Sequence, residues 1–439
     1  MYNRNGDNMV KIIGAGLAGV EAAYFLAQHN IKVKLYEMRP VKMTGAHQTG
    51  NFAELVCSNS LRSNDLHVAV GLLKQEMRML GSLVIEAAEH ASVPAGSSLA
   101  VDREIFSKYI ENKLYHHPNI EVFKEEITDI DLDEMTLVAA GPLASDALSK
   151  RLSEIFHQMH FHFFDAVAPI IEKDSIDMNI AYLKSRYDKG EAAYINCPMN
   201  EEEYNKFYDA LTSAEKVVPK DFENNVFEGC MPVEVMASRG KQTLLYGPMK
   251  PVGLEQEGKK RPFAVVQLRQ DDAKQSMYNI VGFQTHMTWP EQKKVIQLIP
   301  GLENARILRY GVMHRNTYIE SPHVLNKGYQ SIEHPKLFVA GQISGVEGYV
   351  ESAASGLNAA IQVCAFLDKQ KQVNFPEETM IGAMSHYIAT PNASFVPMNA
   401  NFGLLPALKE KHQKKMRKTL YAQRAIELIS QVKDENPWI

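Results

Sequence analysis

Gly14, Gly16 and Gly19 stand in the spacing G-x-G-x-x-G, and the chemistry open to that spacing is the holding of a pyrophosphate. Gly14 permits a tight turn. Gly16 lets backbone approach the phosphates with no Cβ between them, and Gly19 lets a helix lie close against a strand. Leu17 and Ala18 open that helix, whose first N–H groups and positive dipole end would face the phosphates. The flanking elements fit. Residues 10–13 are an apolar strand, residues 17–24 an Ala-rich helix start, and residues 31–36 a second strand that ends at Glu37. An acid about 20 positions beyond the glycines is where a ribose hydroxyl finds its acceptor.

A second unit comes late. Residues 336–340 read as a strand, GQISG follows at 341–345, and residues 347–360 form a small-residue helix start. Gly341, Gln342 and Gly345 make the turn, and Glu347, Glu351 and Ser352 cluster where the helix begins. A turn of this kind passes a ribityl phosphate. Its helix dipole stabilises negative charge on a reduced flavin. The pairing of the early fingerprint with this unit points to FAD rather than NAD as resident cofactor. No second G-x-G-x-x-G is present for a nicotinamide, which would only visit the flavin.

The chain has 439 residues, which predicts two domains rather than one core. Hydrophobic content of 45% and charged content of 23% describe a globular protein. No apolar run reaches about 18 residues, so no membrane span is expected. The N-terminus lacks an apolar signal core, which predicts a cytoplasmic protein. Cys57, Cys197, Cys230 and Cys364 are far apart and form no C-x-x-C pair, which argues against a metal site and a disulfide framework. A net charge of −5 gives no global attraction for nucleic acid, so RNA binding would need local basic clusters.

The predicted fold class is α/β. A doubly wound, Rossmann-like FAD-binding domain is built from residues 1–150 and 331–439, with an inserted mixed α+β substrate domain at 151–330. Residues 40–65 read as loops above the sheet's carboxyl edge. Residues 67–91 read as one helix, and residues 102–115 as another capped by Asp102. Residues 120–123 and 136–140 read as further strands of the nucleotide sheet. In the inserted domain, residues 167–171, 243–246, 264–268 and 278–282 alternate as strands do, with helical patches at 200–215 and 290–299.

Seven blocks run in the order of one known family: GAGLAG (14–19), ELVCSNS (54–60), FEGCMP (227–232), GPMKP (247–251), YGVMHRNTY (310–318), GQISGVEGYVES (341–352) and PMNANFGLL (397–405). The chain resembles, nearly end to end, the folate- and FAD-dependent tRNA uracil-5-methyltransferases of bacteria. Their wider kin, the glucose-inhibited division protein A group, share the flavin domain but lack the block around Cys230. The resemblance implies that methylenetetrahydrofolate supplies a one-carbon unit, FAD carries it, NADH or NADPH reduces the flavin, and 5-methyluridine forms in the T loop of tRNA. A paralogue with the same motifs methylates 23S ribosomal RNA instead, and the oligomeric state stays open.

That reaction needs a nucleophile, because C5 of uracil is a poor one. Thiolate addition at C6 turns C5 into an enolate-like carbon, and a base must later take the C5 proton. By resemblance Cys230 is the nucleophile, and Cys57 lies near the flavin as base or positioning group; the residues alone do not order these two roles. Cys197 and Cys364 read as small buried hydrophobes.

For folate, His314 offers an imidazole to stack on the pterin and Arg315 a guanidinium for the glutamate tail. A histidine bonded to a local carbonyl fits His314 equally well. His286 is a further candidate, and Glu347 could bind the pterin's guanidine-like edge. For RNA, Lys409, Lys411, Lys414, Lys415, Arg417 and Lys418 form the densest basic run, read as a helix. A solvated helix face explains that run as well. Lys241, Lys250, Lys259, Lys260 and Arg261 make a second cluster, and Phe402 reads as core. The rival of another class is an NAD(P)H-dependent flavin oxidoreductase without methyl transfer.

Overall fold

The computed structural model describes residues 9–157, 161–166, 168–188, 191–217, 231–392, 395–409 and 412–439. Among them, five strands form a parallel sheet in the order Leu337–Val339, Thr136–Val138, Met9–Ile13, Lys32–Tyr36, Ile120–Phe123. Strand order reverses beside Met9–Ile13. Doubly wound sheets open a ligand crevice at such a point, outside the strands' carboxyl ends. Helix Leu17–Gln28 follows the first strand. Gly14 holds φ +104°, and a Cβ there would overlap the Ala139 carbonyl. A Cβ on Gly19 would overlap the Gly14 carbonyl oxygen, so glycine is required for helix and strand to meet.

Helix Tyr349–Leu367 packs on Leu17–Gln28, with Gly356 so near the Ala18 carbonyl that no Cβ fits. It is long and apolar enough to cross a membrane, and its apolar stretch is 89% buried within the fold. Ile12, Leu35, Leu137, Phe338 and Leu357 belong to one apolar core that draws on residues from both ends of the chain.

A second core gathers Tyr204, Phe207, Val266, Leu268 and Ile280. It lies against a six-stranded antiparallel sheet, ordered Tyr182–Leu183, Tyr194–Met199, Ala264–Gln270, Met277–Ile280, Ile170–Glu172, Ile307–Arg309. Two long antiparallel strands, Phe161–Ala166 and Met313–Tyr318, lie between these regions in the sequence and pair with each other.

Several local expectations change. The helix expected over 67–91 is two, Ala69–Met79 and Leu83–His90. Gly81 at φ +76° ends the first, and Ser82 caps the second by accepting from Ile85 N–H. The buried Glu21 carboxylate accepts from Ser82 Oγ and from the N–H groups of Leu83 and Val84, which fixes the break. Residues 243–246 form the one-turn helix Thr243–Tyr246 rather than a strand, because a stretch of four residues is too short for alternation to decide. The basic run is not one helix. A 3₁₀ turn at Lys414–Met416 precedes helix Arg417–Glu435, and that helix has no side-chain cap. Like charges at helical spacing repel and disfavour extending it N-terminally. The helix expected from 102 is present as Arg103–Tyr115, with Asp102 accepting from the N–H groups of Glu104 and Ile105.

Candidate active site

A cleft of about 360 Å³ opens at the carboxyl edge of the parallel sheet. Its floor is the glycine turn. Gly16 has φ −74°, ordinary for any residue, and a Cβ built on it meets nothing within 4 Å. That empty direction faces a cleft lined by Gly14, Gly16, Leu17 and Ala18. Gly19 lies behind, where it packs the helix. The cleft is also reached by the start of helix Tyr349–Leu367, through Gly348, Tyr349, Val350 and Ser352. Two sets of unpaired helix N–H groups thus converge on one space, the arrangement that favours phosphate and anionic rings. The residues present fit a dinucleotide such as FAD.

Glu37 stands at the nucleotide end and is committed to protein. Its oxygens accept from Ala15 N–H (3.0 Å), Arg39 N–H (3.0 Å), Arg39 Nε (2.8 Å) and Arg39 Nη2 (3.2 Å). A carboxylate offers about four lone-pair directions, so these bonds occupy them. Burial pushes the carboxyl up, yet the bonds and charge of Arg39 outweigh it and hold Glu37 below its ordinary value. Arg39 in turn donates to Thr49 O and to Glu54. A ribose hydroxyl taken up by Glu37 would replace one of these bonds.

At the opposite end, Gly341, Gln342 and Glu347 line the cleft, and Gln342 Nε2 donates to Glu347. Gly345 turns beside them at φ +86°. Glu351 does not line the cleft. It is fully buried, pairs with Arg62 of strand Ser60–Ser63 and accepts from Ala400 N–H at 2.8 Å, so it joins the helix start to that strand and to a loop.

Cys57 lines the same cleft. Its backbone N–H donates to the Tyr349 hydroxyl at 2.7 Å, and Ser58 N–H donates to the same oxygen at 3.3 Å. Burial, then the neighbouring Cys57, pushes the Tyr349 phenol well above its ordinary value, so it stays a neutral hydroxyl. Tyr349 sits within a quoted block, but no spacing rule says where its hydroxyl points. Tyr349→Phe leaves two peptide N–H groups without their acceptor. It is expected to cost about 1–3 kcal/mol of stability, checked by denaturant unfolding, and to loosen Cys57, checked by faster alkylation.

Arg269 escaped the sequence reading altogether. It is 8% exposed, lines the cleft, and donates to Asn59 Oδ1 (3.0 Å) and Ser58 Oγ (2.6 Å). Its hydrogen-bond partners are neutral, and burial pulls its guanidinium down, which the Asp271 carboxylate offsets in part. The nearby Asp271 carboxylate is paired with Arg103. Only the fold could bring residues 58 and 269 together.

The remaining candidates divide. Cys230 and Lys411 lie outside the described residues. For His314 and Arg315 the described part is backbone, in strand Met313–Tyr318 opposite Asp165 and Phe164. His286 does not reach the cleft. It lies in the second region with Nδ1 3.1 Å from the buried Glu234 carboxylate, and burial pulls its imidazole down to about 4, so it is neutral. Cys197 and Cys364 are fully buried, and burial pushes the Cys197 thiol up. Lys409, Lys414, Lys415, Arg417 and Lys418 are exposed. Phe402 stacks on Tyr421 with centroids 5.6 Å apart, as packing rather than as an exposed platform.

A parallel sheet with a glycine turn open to a cleft, entered by two helix N-termini, defines a dinucleotide-binding α/β protein. The chain belongs to the glucose inhibited division protein A family, whose model matches residues 9–371. It is similar to the methylenetetrahydrofolate–tRNA-(uracil-5-)-methyltransferase TrmFO of Acholeplasma laidlawii, with 62% identity over 423 residues, 96% of this chain and 99% of that one. The protein of the same name from Bacillus subtilis is 60% identical over 427 residues, covering 96% and 98%. Among solved structures, GidA of Aquifex aeolicus superposes with a TM-score of 0.69 at 15% identity, over 97% of this chain and 73% of that one, a likeness of fold.

Proposed function

We propose that this chain is an enzyme that methylates C5 of a uridine in tRNA, at the T loop, with methylenetetrahydrofolate as carbon donor and FAD as resident cofactor. The observation that carries the reading is Cys57 lining the same cleft as the Gly16 turn, in a chain 62% identical to a relative named for this reaction. When bound, FAD supplies the carrier for the one-carbon unit and for electrons brought by NADH or NADPH.

The chain's own residues would do the rest. Gly14 to Gly19 cradle the pyrophosphate, and Gly341, Gln342 and Gly345 pass the ribityl end. Residues 1–150 and 331–439 form the flavin unit, and residues 151–330 carry substrate surface. The Cys230 thiolate adds to uracil C6, so that the electron pair reaches C5 and C5 bonds the one-carbon unit. Cys57 then takes the C5 proton as the unit's bond to its carrier breaks, and a hydride that originates in NADH or NADPH would complete the methyl group as the C6–S bond breaks and the thiolate returns. His314 and Arg315 meet the folate, and the exposed cations around Lys414 to Lys418 meet phosphates.

The test is mass mapping of 5-methyluridine in tRNA and ribosomal RNA from cells lacking the gene, beside the colour of the purified protein. Loss from the tRNA T loop with ribosomal RNA intact, and a yellow protein, are expected. Unchanged tRNA, or a protein colourless even after reconstitution, would overturn the reading.

A further inference from the structure

Asn316 is 1% exposed, and it lines the cleft. Neither its Oδ1 nor its Nδ2 has a hydrogen-bond partner among the described residues. A buried amide left in this state is costly, and native folds rarely tolerate it without a reason. Its strand is held on both sides. Thr317 N–H donates to Pro142 O at 2.9 Å, beyond the end of strand Thr136–Val138. Ile319 N–H donates to Ile343 O at 2.9 Å, beside Gln342. The strand that carries Asn316 is therefore tied to the loop after Thr136–Val138 and to the turn after Leu337–Val339, and Pro142 and Gln342 of those segments line the cleft with it.

A side-chain amide presents an acceptor and a donor side by side. Its complement is a ring edge with N–H next to C=O. The pyrimidine ring of a flavin has that edge at N3–H and C4=O. We propose that Asn316 is a positioning residue that reads this edge, with Oδ1 accepting from N3–H and Nδ2 donating to O4. The inference rests on the FAD reading above and deepens it. Gly348, Tyr349 and Val350 at the helix N-terminus line the same cleft, so a second protein element would bound the ring that Asn316 reads. Pterin and uracil carry a similar edge, and the experiment separates them from the flavin.

Flavin-free full-length protein is titrated with FAD and with 3-methyl-FAD, in which a methyl group replaces the N3 hydrogen. The unaltered chain is expected to prefer FAD by about tenfold or more. Asn316→Ala is expected to bind FAD about ten- to a hundredfold more weakly and to lose the preference. The unaltered chain alone already tests the proposal should the variant not fold. Equal binding of the two flavins by the unaltered chain overturns it. So does a preference that survives in Asn316→Ala, or a variant that keeps FAD affinity while only its KM for folate or RNA rises. A chain that takes up neither flavin overturns the FAD reading itself, a result distinct from equal binding of both.

Discussion

Cys230→Ala is expected to reduce 5-methyluridine formation to background while leaving a folded, yellow protein. The thiolate is the only route by which uracil C5 gains the electron density to attack an electrophilic carbon in the proposed reaction, and alanine supplies none. The nucleotide cleft should be untouched. Its floor is built from Gly14, Gly16, Leu17 and Ala18, and its far wall from Gly341, Gln342 and residues 347–350. Cys230 is three residues from Val233, whose N–H donates at 2.7 Å to Gln284 O, and Gln284 lines the cleft. The sharpest readout is RNA carrying 5-fluorouridine. Fluorine cannot leave C5 as a proton does, so the C6–S adduct persists and migrates as a covalent protein–RNA band. The band is expected with the unaltered chain and absent in Cys230→Ala. Cys57→Ala should still form it, because the base acts after addition. Retained methylation in Cys230→Ala would overturn the assignment, and a band lost only in Cys57→Ala would exchange the two roles.

What could be read from the residues was what backbone sterics dictate locally. Gly14 and Gly19 are glycines because a Cβ would strike Ala139 or the Gly14 carbonyl, and that constraint appears in the spacing itself. Asp102 caps a helix by bonds to residues two and three positions on, which is again local. The break at Gly81–Ser82 was hidden because the apolar periodicity runs through it; the deciding partner, Glu21, is some sixty positions away. The site divides along the same line. The glycine turn, Cys57 and the late helix start were legible. Tyr349, Arg269 and Asn316 were not, since each acquires its meaning from a partner or a cleft that only folding assembles. Glu37 was found, but its saturation by Arg39 was not. A spacing rule locates an acid and is silent on which donors reach it first.

Gly16→Val is expected to fold and to lose its flavin. The separation of those two effects is what the geometry allows. Gly16 lies at φ −74°, where valine meets no backbone strain, and its Cβ direction is empty of protein to 4 Å. Stability of the flavin-free chain should therefore change by no more than about 0.5 kcal/mol, as for a surface substitution. The neighbouring glycines behave otherwise. At Gly14 a side chain is strained by φ +104° and strikes Ala139, and at Gly19 it strikes the Gly14 carbonyl, so both variants should fail to fold or lose several kcal/mol. The valine methyls at 16 point into the space assigned to the pyrophosphate. Overlap there should weaken FAD on the order of a hundredfold, read as flavin absorbance per chain after gel filtration and by titration of the flavin-free form. Equal unfolding midpoints for Gly16→Val and the unaltered chain without flavin, joined to a colourless variant, would place the phosphates over Gly16. A variant that folds and keeps a full complement of flavin would mean that the pyrophosphate crosses the sheet elsewhere, and the reading of the glycine turn would fall with it.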